Sequence, residues 1–282
     1  MGNILLGWPN RIDAATLSGG SWNASLPLAN LQTSEQAVVA RSTNATTGST
    51  QFDIDLGATR SLRALALVNH NLSQAATWKV SLGTSSGGSQ VYAGSFQSAW
   101  ALTFSEGGIE WEANNWWGAG VGDEYTGHPF IAPFILSASY DARYVRVEIS
   151  DATNAAGYVQ IGRVYVGGGF VPTYNAAYGL QDSWVDLSSI ESADNGALFA
   201  TPRRRQRRTR FELGYLSLDE GAILYELARR QGTVYEVLYL PDSADYQAAQ
   251  RYGYLGRLRE LQPLEYPYPR ARATAFEVEE LL

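Results

Sequence analysis

Short runs of alternating apolar and polar residues, separated by turns rich in Ser, Thr, Gly and Asn, fill the chain up to about residue 168. Residues 51–57 (Gln-Phe-Asp-Ile-Asp-Leu-Gly) put an apolar side chain at every second position. That is the period of a strand with one face buried and one face in water. Residues 62–68 are nearly all apolar and predict a mostly buried strand, and 77–82 predict another. The alternation returns over 144–149, and a further strand is expected over 159–166, after a turn at 154–157. Frequent strands with turn signals and no long helical period predict a β-sandwich or jelly roll.

Gly167-Gly168-Gly169 then interrupts the pattern, with Pro172 close behind. Three glycines at a strand end read as a flexible boundary, so two domains are expected, residues 1–168 and 169–282. The second mixes strands with one marked helix. Ser217 and Glu220 have the spacing of a capping box. Leu218, Ile223, Leu224 and Leu227 form a stripe at helical spacing. Arg229 and Arg230 complement the dipole of the last turn, and Gly232 supplies the stop. Strands are expected before the helix over 210–215, after it over 234–240, and at the end over 274–279. This half therefore reads as α+β, a small sheet with a helix packed across it.

Composition removes several kinds of chemistry. There is no Cys, so disulfides, thiolate zinc sites and cysteine nucleophiles are excluded. Two His leave little for a His-rich metal site, and a net charge of -7 argues against general nucleic-acid binding. Apolar runs such as 131–136 fall far short of a membrane span. The start, Met1-Gly2-Asn3-Ile4-Leu5-Leu6, has no basic region of a signal peptide, so synthesis in the cytoplasm is expected. Lys79 is the only lysine; every other cation is Arg, the better partner for fixed planar contacts. A coding bias gives the same skew.

Catalytic signatures are missing: no G-x-S-x-G, no phosphate-binding loop, no HExxH and no dinucleotide fingerprint. The chain is expected not to be an enzyme and to need neither cofactor nor metal. Asp53 and Asp55 share a strand face, the ordinary solvent face of a strand. His70, between Asn69 and Asn71, reads as a loop-forming residue bonded to the backbone. His128 precedes Pro129 in a Gly-rich stretch without an obvious partner.

Two segments stand out. Residues 100–134 form an aromatic-rich insertion that holds Trp100, Trp111, Trp116, Trp117 and Tyr125 among Asp123 and Glu124. Three readings fit: indole platforms for sugar rings with carboxylates taking hydroxyl hydrogens, anchors of a protein interface, or a minicore of the insertion itself. Glu110 and Glu112 lack the spacing of a glycosidase pair, since both would point the same way from one strand. The second segment carries Arg203, Arg204, Arg205, Arg207, Arg208 and Arg210, six Arg in eight positions. It reads as an arm extending past the core for subunit contact, in preference to a nucleic-acid site.

The stretches Phe52-Asp53-Ile54-Asp55-Leu56-Gly57 and Leu62-Arg63-Ala64-Leu65-Ala66-Leu67-Val68-Asn69-His70-Asn71 resemble galactose-binding-like (discoidin-type) jelly rolls of tailed-phage tail proteins. The closing pair Tyr144-Val145-Arg146-Val147-Glu148-Ile149 and Tyr158-Val159-Gln160-Ile161-Gly162-Arg163-Val164-Tyr165-Val166 completes that likeness over most of residues 25–168. The C-terminal half is similar in layout to the hub-like domains of distal and minor tail proteins. There the likeness rests on Arg210-Phe211-Glu212-Leu213, the capped helix, Arg257-Leu258-Arg259-Glu260-Leu261 and Pro263-Leu264-Glu265-Tyr266. The domain order is the reverse of the best-known distal tail proteins, and the 100–134 insertion has no counterpart. The resemblance implies a siphovirus-like virion component of the tail tip or baseplate. It would be a homo-oligomeric ring touching the tail tube and other tail-tip proteins, and linking the tail axis to receptor-binding parts. The alternative is a carbohydrate-binding module for attachment to host-surface glycan.

Overall fold

The computed structural model describes residues 2–101, 131–192 and 198–282. The N-terminal part contains β1 (Leu5–Asn10), β2 (Thr16–Ser18), β3 (Ala40–Arg41), the short helix α1 (Thr47–Thr50), β4 (Phe52–His70) and β5 (Thr77–Gly83). It continues through β6 (Tyr92–Ala93), β7 (Gln97–Ser98), β8 (Ile131–Ser150) and β9 (Gln160–Phe170). The C-terminal part contains β10 (Gln181–Asp186), β11 (Ser189–Ser192), β12 (Leu198–Thr201), β13 (Arg205–Leu216) and the helix α2 (Leu218–Gln231). After these come β14 (Glu236–Leu240), α3 (Tyr246–Tyr252), β15 (Tyr254–Leu258), β16 (Glu265–Tyr268) and β17 (Ala271–Glu280).

The chain is mainly β, and its main sheet is antiparallel, as the many short alternating runs predict. Among the described residues one sheet runs β10-β13-β17-β15-β14-β1-β9-β4-β8-β5-β6, while β11 and β12 pair only with each other. The runs at 52–57 and 62–68, expected as separate strands, belong to one 19-residue strand. Its ladder with β8 continues across the polar residues between them because the register shifts twice, between Asp55 and Arg60 and again between Leu62 and Ala64. The two halves of β4 differ in burial. Phe52, Ile54 and Leu56 are buried on one face only, whereas Ala64 to Val68 are all buried.

That difference follows from what covers each face. Leu65 and Leu67 point into the N-terminal core with Trp78, Phe134, Val147 and Val166. Ala64, Ala66 and Val68 point the other way, into a core shared with Leu238, Leu240, Leu255 and Ala249 of the C-terminal part. A third core holds Phe211, Leu224, Leu227, Tyr239, Tyr254 and Phe276 under α2.

The strand that joins the parts is β1. It pairs with β14 on one side (Leu6 opposite Tyr239) and with β9 on the other (Leu6 opposite Phe170). Alternation sends Leu6 to the core under α2 and Leu5 to the shared core. Gly7 lets the strand settle between them: a Cβ there would lie 2.7 Å from the Tyr165 hydroxyl and 2.9 Å from Leu238 Cβ.

The glycine run corrects the expected flexible boundary. Gly167, Gly168 and Gly169 lie inside β9, and Gly167 and Gly169 are register partners of Asn10 and Gly7 in β1. A Cβ at Gly167 would lie 2.4 Å from the Pro9 carbonyl oxygen. These glycines serve close backbone approach, so residues 168 and 169 sit within a paired strand.

The helix α2 forms as its sequence predicts. The Glu220 amide donates to Ser217 Oγ at 3.2 Å and the Ser217 amide donates to Glu220 Oε2 at 2.7 Å. Gly232 follows with a φ of +53°. The expected stripe is narrower than predicted: Leu224 and Leu227 are buried, whereas Leu218 and Ile223 are exposed.

Candidate assembly surface

The Arg-rich segment is strand β13 and the residues just before it. From Arg208 to Arg210 it is paired on both sides, by β10 and by β17, whereas Arg205 to Arg207 pair with β10 alone. The expected arm is thus rooted inside the sheet. Arg207 is an internal residue: its guanidinium reaches Glu280 at 2.5 Å and the Gly253 carbonyl at 3.1 Å, and lies over the Tyr254 ring. Arg208 stands 3.4 Å from Glu279 and 3.5 Å from Glu277, and Arg259 adds a 2.6 Å contact to Glu277. Arg205 is 3.6 Å from Asp186. The acidic residues of β17 thereby absorb the charge that the sequence concentrates on β13. Among the described residues Arg203, Arg204 and Arg210 are exposed and have no ion-pair partner.

Beyond Asp186 and Arg205 the same two chain segments continue as the β11–β12 hairpin. The junction is held by the Ser188 amide donating to Asp186 Oδ1 at 2.8 Å and the Arg203 amide donating to Ser188 Oγ at 2.9 Å. The strands pair Ile190 with Ala200 and Ser192 with Leu198. Period-two alternation therefore puts Ile190, Leu198 and Ala200 on one face and Phe199 with Glu191 on the other. Ile190 is 69% exposed, Leu198 71% and Phe199 64%. Positions 187–188 and 202–204, outside any strand, join this hairpin to the last rung of the main sheet. Trp184 and Leu187 extend the exposed apolar surface toward its base.

A second apolar surface lies on α2. Leu224, Tyr225 and Ala228 of the helix, with Leu258, Leu261, Pro263, Leu264 and Phe276, enclose a groove of about 150 Å³. Glu260, Gln262 and Thr274 supply its polar lining, and Gln262 Nε2 donates to Glu260 at 3.2 Å. Among the described residues Glu260 makes no ion pair. Sequence reasoning missed this groove, whose only signal was the run 257–266 quoted for its hub-like layout.

The other expected site residues are placed as follows. Trp100, a candidate for interface or glycan contact, is instead part of the N-terminal core: it is 9% exposed, its indole donates to the Leu72 carbonyl at 3.0 Å, and it meets His70 edge-on. Trp111, Trp116, Trp117, Tyr125, Asp123, Glu124 and His128 lie outside the described residues. The chain leading to them is fixed by α3: Gln250 Nε2 donates to the Ala99 carbonyl at 2.7 Å, and the Ala101 amide donates to Gln250 Oε1 at 2.6 Å. His70 accepts from the Leu72 amide at 3.3 Å, the backbone bond expected of an Asn-His-Asn turn. Complete burial pushes its pKa down to about 3, so it stays neutral. Asp55 takes a two-pronged contact from Arg143 at 2.7 and 2.9 Å, and this bond, with the Gly57 amide, lowers its pKa to about 2. Asp53 is 3.7 Å from Arg146, so both carboxylates face cations on the next strand. Among the described residues no three His, Asp or Glu side chains gather as metal ligands, and no helix is long and apolar enough to cross a membrane.

No protein-family model and no curated protein matches the chain. Several solved structures resemble part of it. The lectin domain of lectinolysin, complexed with Lewis B antigen, is 18% identical over 60% of this chain and 98% of its own, with a TM-score of 0.36. A family 32 carbohydrate-binding module from Clostridium perfringens, in complex with galactose, is 11% identical over 57% of this chain and 98% of its own, with a TM-score of 0.35. A Streptococcus pneumoniae fucose-binding module is 14% identical over 56% and 94%, also at 0.35. At these identities and TM-scores the likeness fixes neither a ligand nor a role for this chain.

Proposed function

We propose that the chain is a non-catalytic structural protein that works as a homo-oligomer. Its C-terminal part joins copies, and its N-terminal sandwich is carried at the periphery. The observation behind this reading is the β11–β12 hairpin with Ile190, Leu198 and Phe199 in solvent. A lone two-stranded hairpin is marginal in water, and clustered exposed apolar side chains mark contact surfaces. The internal pairing of Arg207 and Arg208 supports it too: it braces the root of the arm against β17 while leaving Arg203 and Arg204 outward.

The setting suggested by the sequence resemblance is a phage tail tip, where repeated contacts that close under rotation form a ring. Sedimentation velocity on the full chain tests the oligomer. A discrete species larger than a monomer is expected, and a monomer at the highest soluble concentration would overturn the reading. Mass spectrometry of purified virions tests the setting, since a structural component must be present in them.

A second reading keeps the same assembly and adds glycan attachment through the sandwich. It is favoured by the sequence of 102–130, which sets Trp111, Trp116 and Trp117 near Asp123 and Glu124 and departs from a point clamped by Gln250. Indole faces suit sugar rings, and carboxylates suit hydroxyl groups. A glycan array with the oligomer should show binding that Trp116→Ala and Trp117→Ala abolish. Binding to no polysaccharide would leave assembly alone.

A further inference from the structure

We infer that the hairpin β11–β12 of one copy docks in the α2 groove of the next. This rests on the oligomeric reading above and names the two surfaces that meet. The hairpin offers a largely apolar face, Ile190, Leu198 and Ala200 beside Ser192, at the end of a rooted arm. The groove offers an apolar lining from Leu224, Tyr225, Leu258, Leu261 and Phe276.

Charge complementarity supports the same pairing. Arg203 and Arg204 at the base of the arm lack ion-pair partners among the described residues, as does Glu260 at the groove. An arm seated in the groove brings unpaired guanidinium groups toward an unpaired carboxylate in a chain whose net charge is -7. The arm does not fill its own groove, because Ile190 and Leu198 are exposed and no hairpin residue lines that groove. Arm and groove are different surfaces, so the contact is head-to-tail. Each copy gives one arm and receives one, and the series ends only by closing into a ring or growing into a filament.

The absence of Cys makes the test direct. Leu198→Cys and Leu261→Cys each replace an exposed side chain, so the fold has no reason to suffer. Mild oxidation of the double variant should give a ladder of covalent multimers, and oxidation of the mixed single variants should give disulfide dimers that join one of each. A monomer that loses both thiols would mean the arm reaches its own groove, and no disulfide at all would mean the surfaces do not meet; either result overturns the inference.

A second measurement uses no cysteine. Ile190→Asp with Leu198→Asp should break the oligomer, and so should Leu261→Asp. Mixing the two variants should restore one-to-one pairs, since one keeps its groove and the other its arm. If wild type is oligomeric but these variants remain so, the docking fails while the oligomeric reading stands. If wild type is monomeric, both fall.

Discussion

Replacing Arg163 with methionine should destabilise the protein by about 3–5 kcal/mol, the cost of stranding a buried charge by removing its partner. The guanidinium is 1% exposed and sits on β9. It donates to Glu236 of β14 through Nε at 3.2 Å and Nη2 at 2.6 Å, and to the Leu31 carbonyl at 3.1 Å. Asp13 approaches Nη2 at 2.6 Å. Burial works against its charge, but Glu236 and Asp13 outweigh burial and raise its pKa above the usual arginine value. Without Arg163, Glu236 keeps only the Asn10 amide as a side-chain donor, and it is 7% exposed. Glu236→Gln should cost less, about 1–3 kcal/mol, because Arg163 retains Asp13 and the amide still accepts a hydrogen bond.

The double variant Arg163→Met with Glu236→Leu should fall within about 1 kcal/mol of wild type, since removing both charges removes the stranded one. Urea unfolding followed by tryptophan fluorescence, at one fixed protein concentration, measures all these variants, with Glu236→Leu as the second single arm of the cycle. A coupling of at least about 3 kcal/mol follows from these costs. The reasoning is refuted if Arg163→Met costs less than about 1 kcal/mol, or if the double variant loses the sum of the two singles.

Residues 171–282 alone should show the far-UV and NMR spectra of an unfolded chain, because Ile4 and Leu6, just before and within β1, complete the core under α2; a dispersed spectrum would refute this. His70 binds its proton near pH 3 when folded and near 6.5 when unfolded, so its stabilising effect is complete above about pH 6.5 and declines as the pH falls toward 3. Between pH 6 and 4 wild type should lose about 1.4 kcal/mol per pH unit more than His70→Phe, and equal slopes would refute the buried neutral ring. Ser217→Ala should cost about 1 kcal/mol in the same urea assay by removing one arm of the capping box.

Local features were legible because local chemistry decides them. The capping box at Ser217 and Glu220 and the stop at Gly232 can be read over three residues and appear where expected. The same holds for the alternation at 52–56, which follows from one dry face, and for the bond that His70 accepts from the Leu72 amide. The charges of β13 show where that ends. Arg203 and Arg207 look alike in a run of six Arg, yet one faces solvent and the other is tied to Glu280, 73 residues away.

What remained hidden depends on which distant strand lies alongside. A strand of six residues at the N-terminus carries no mark of its partners, so nothing announced that β1 would sit between β9 and β14 and join the parts. The glycines at 167–169 have the same composition as a linker, and only the closeness of Pro9 and Tyr165 makes them a packed strand. Likewise nothing in the sequence around Trp100 announces the core that closes over it. The sequence alone determined the strand-rich character, the capped helix and the absence of thiol chemistry, because composition and short periods suffice for these. The tertiary structure decided the sheet order, the shared core and the outward hairpin, because those depend on surfaces brought together from far apart in the chain.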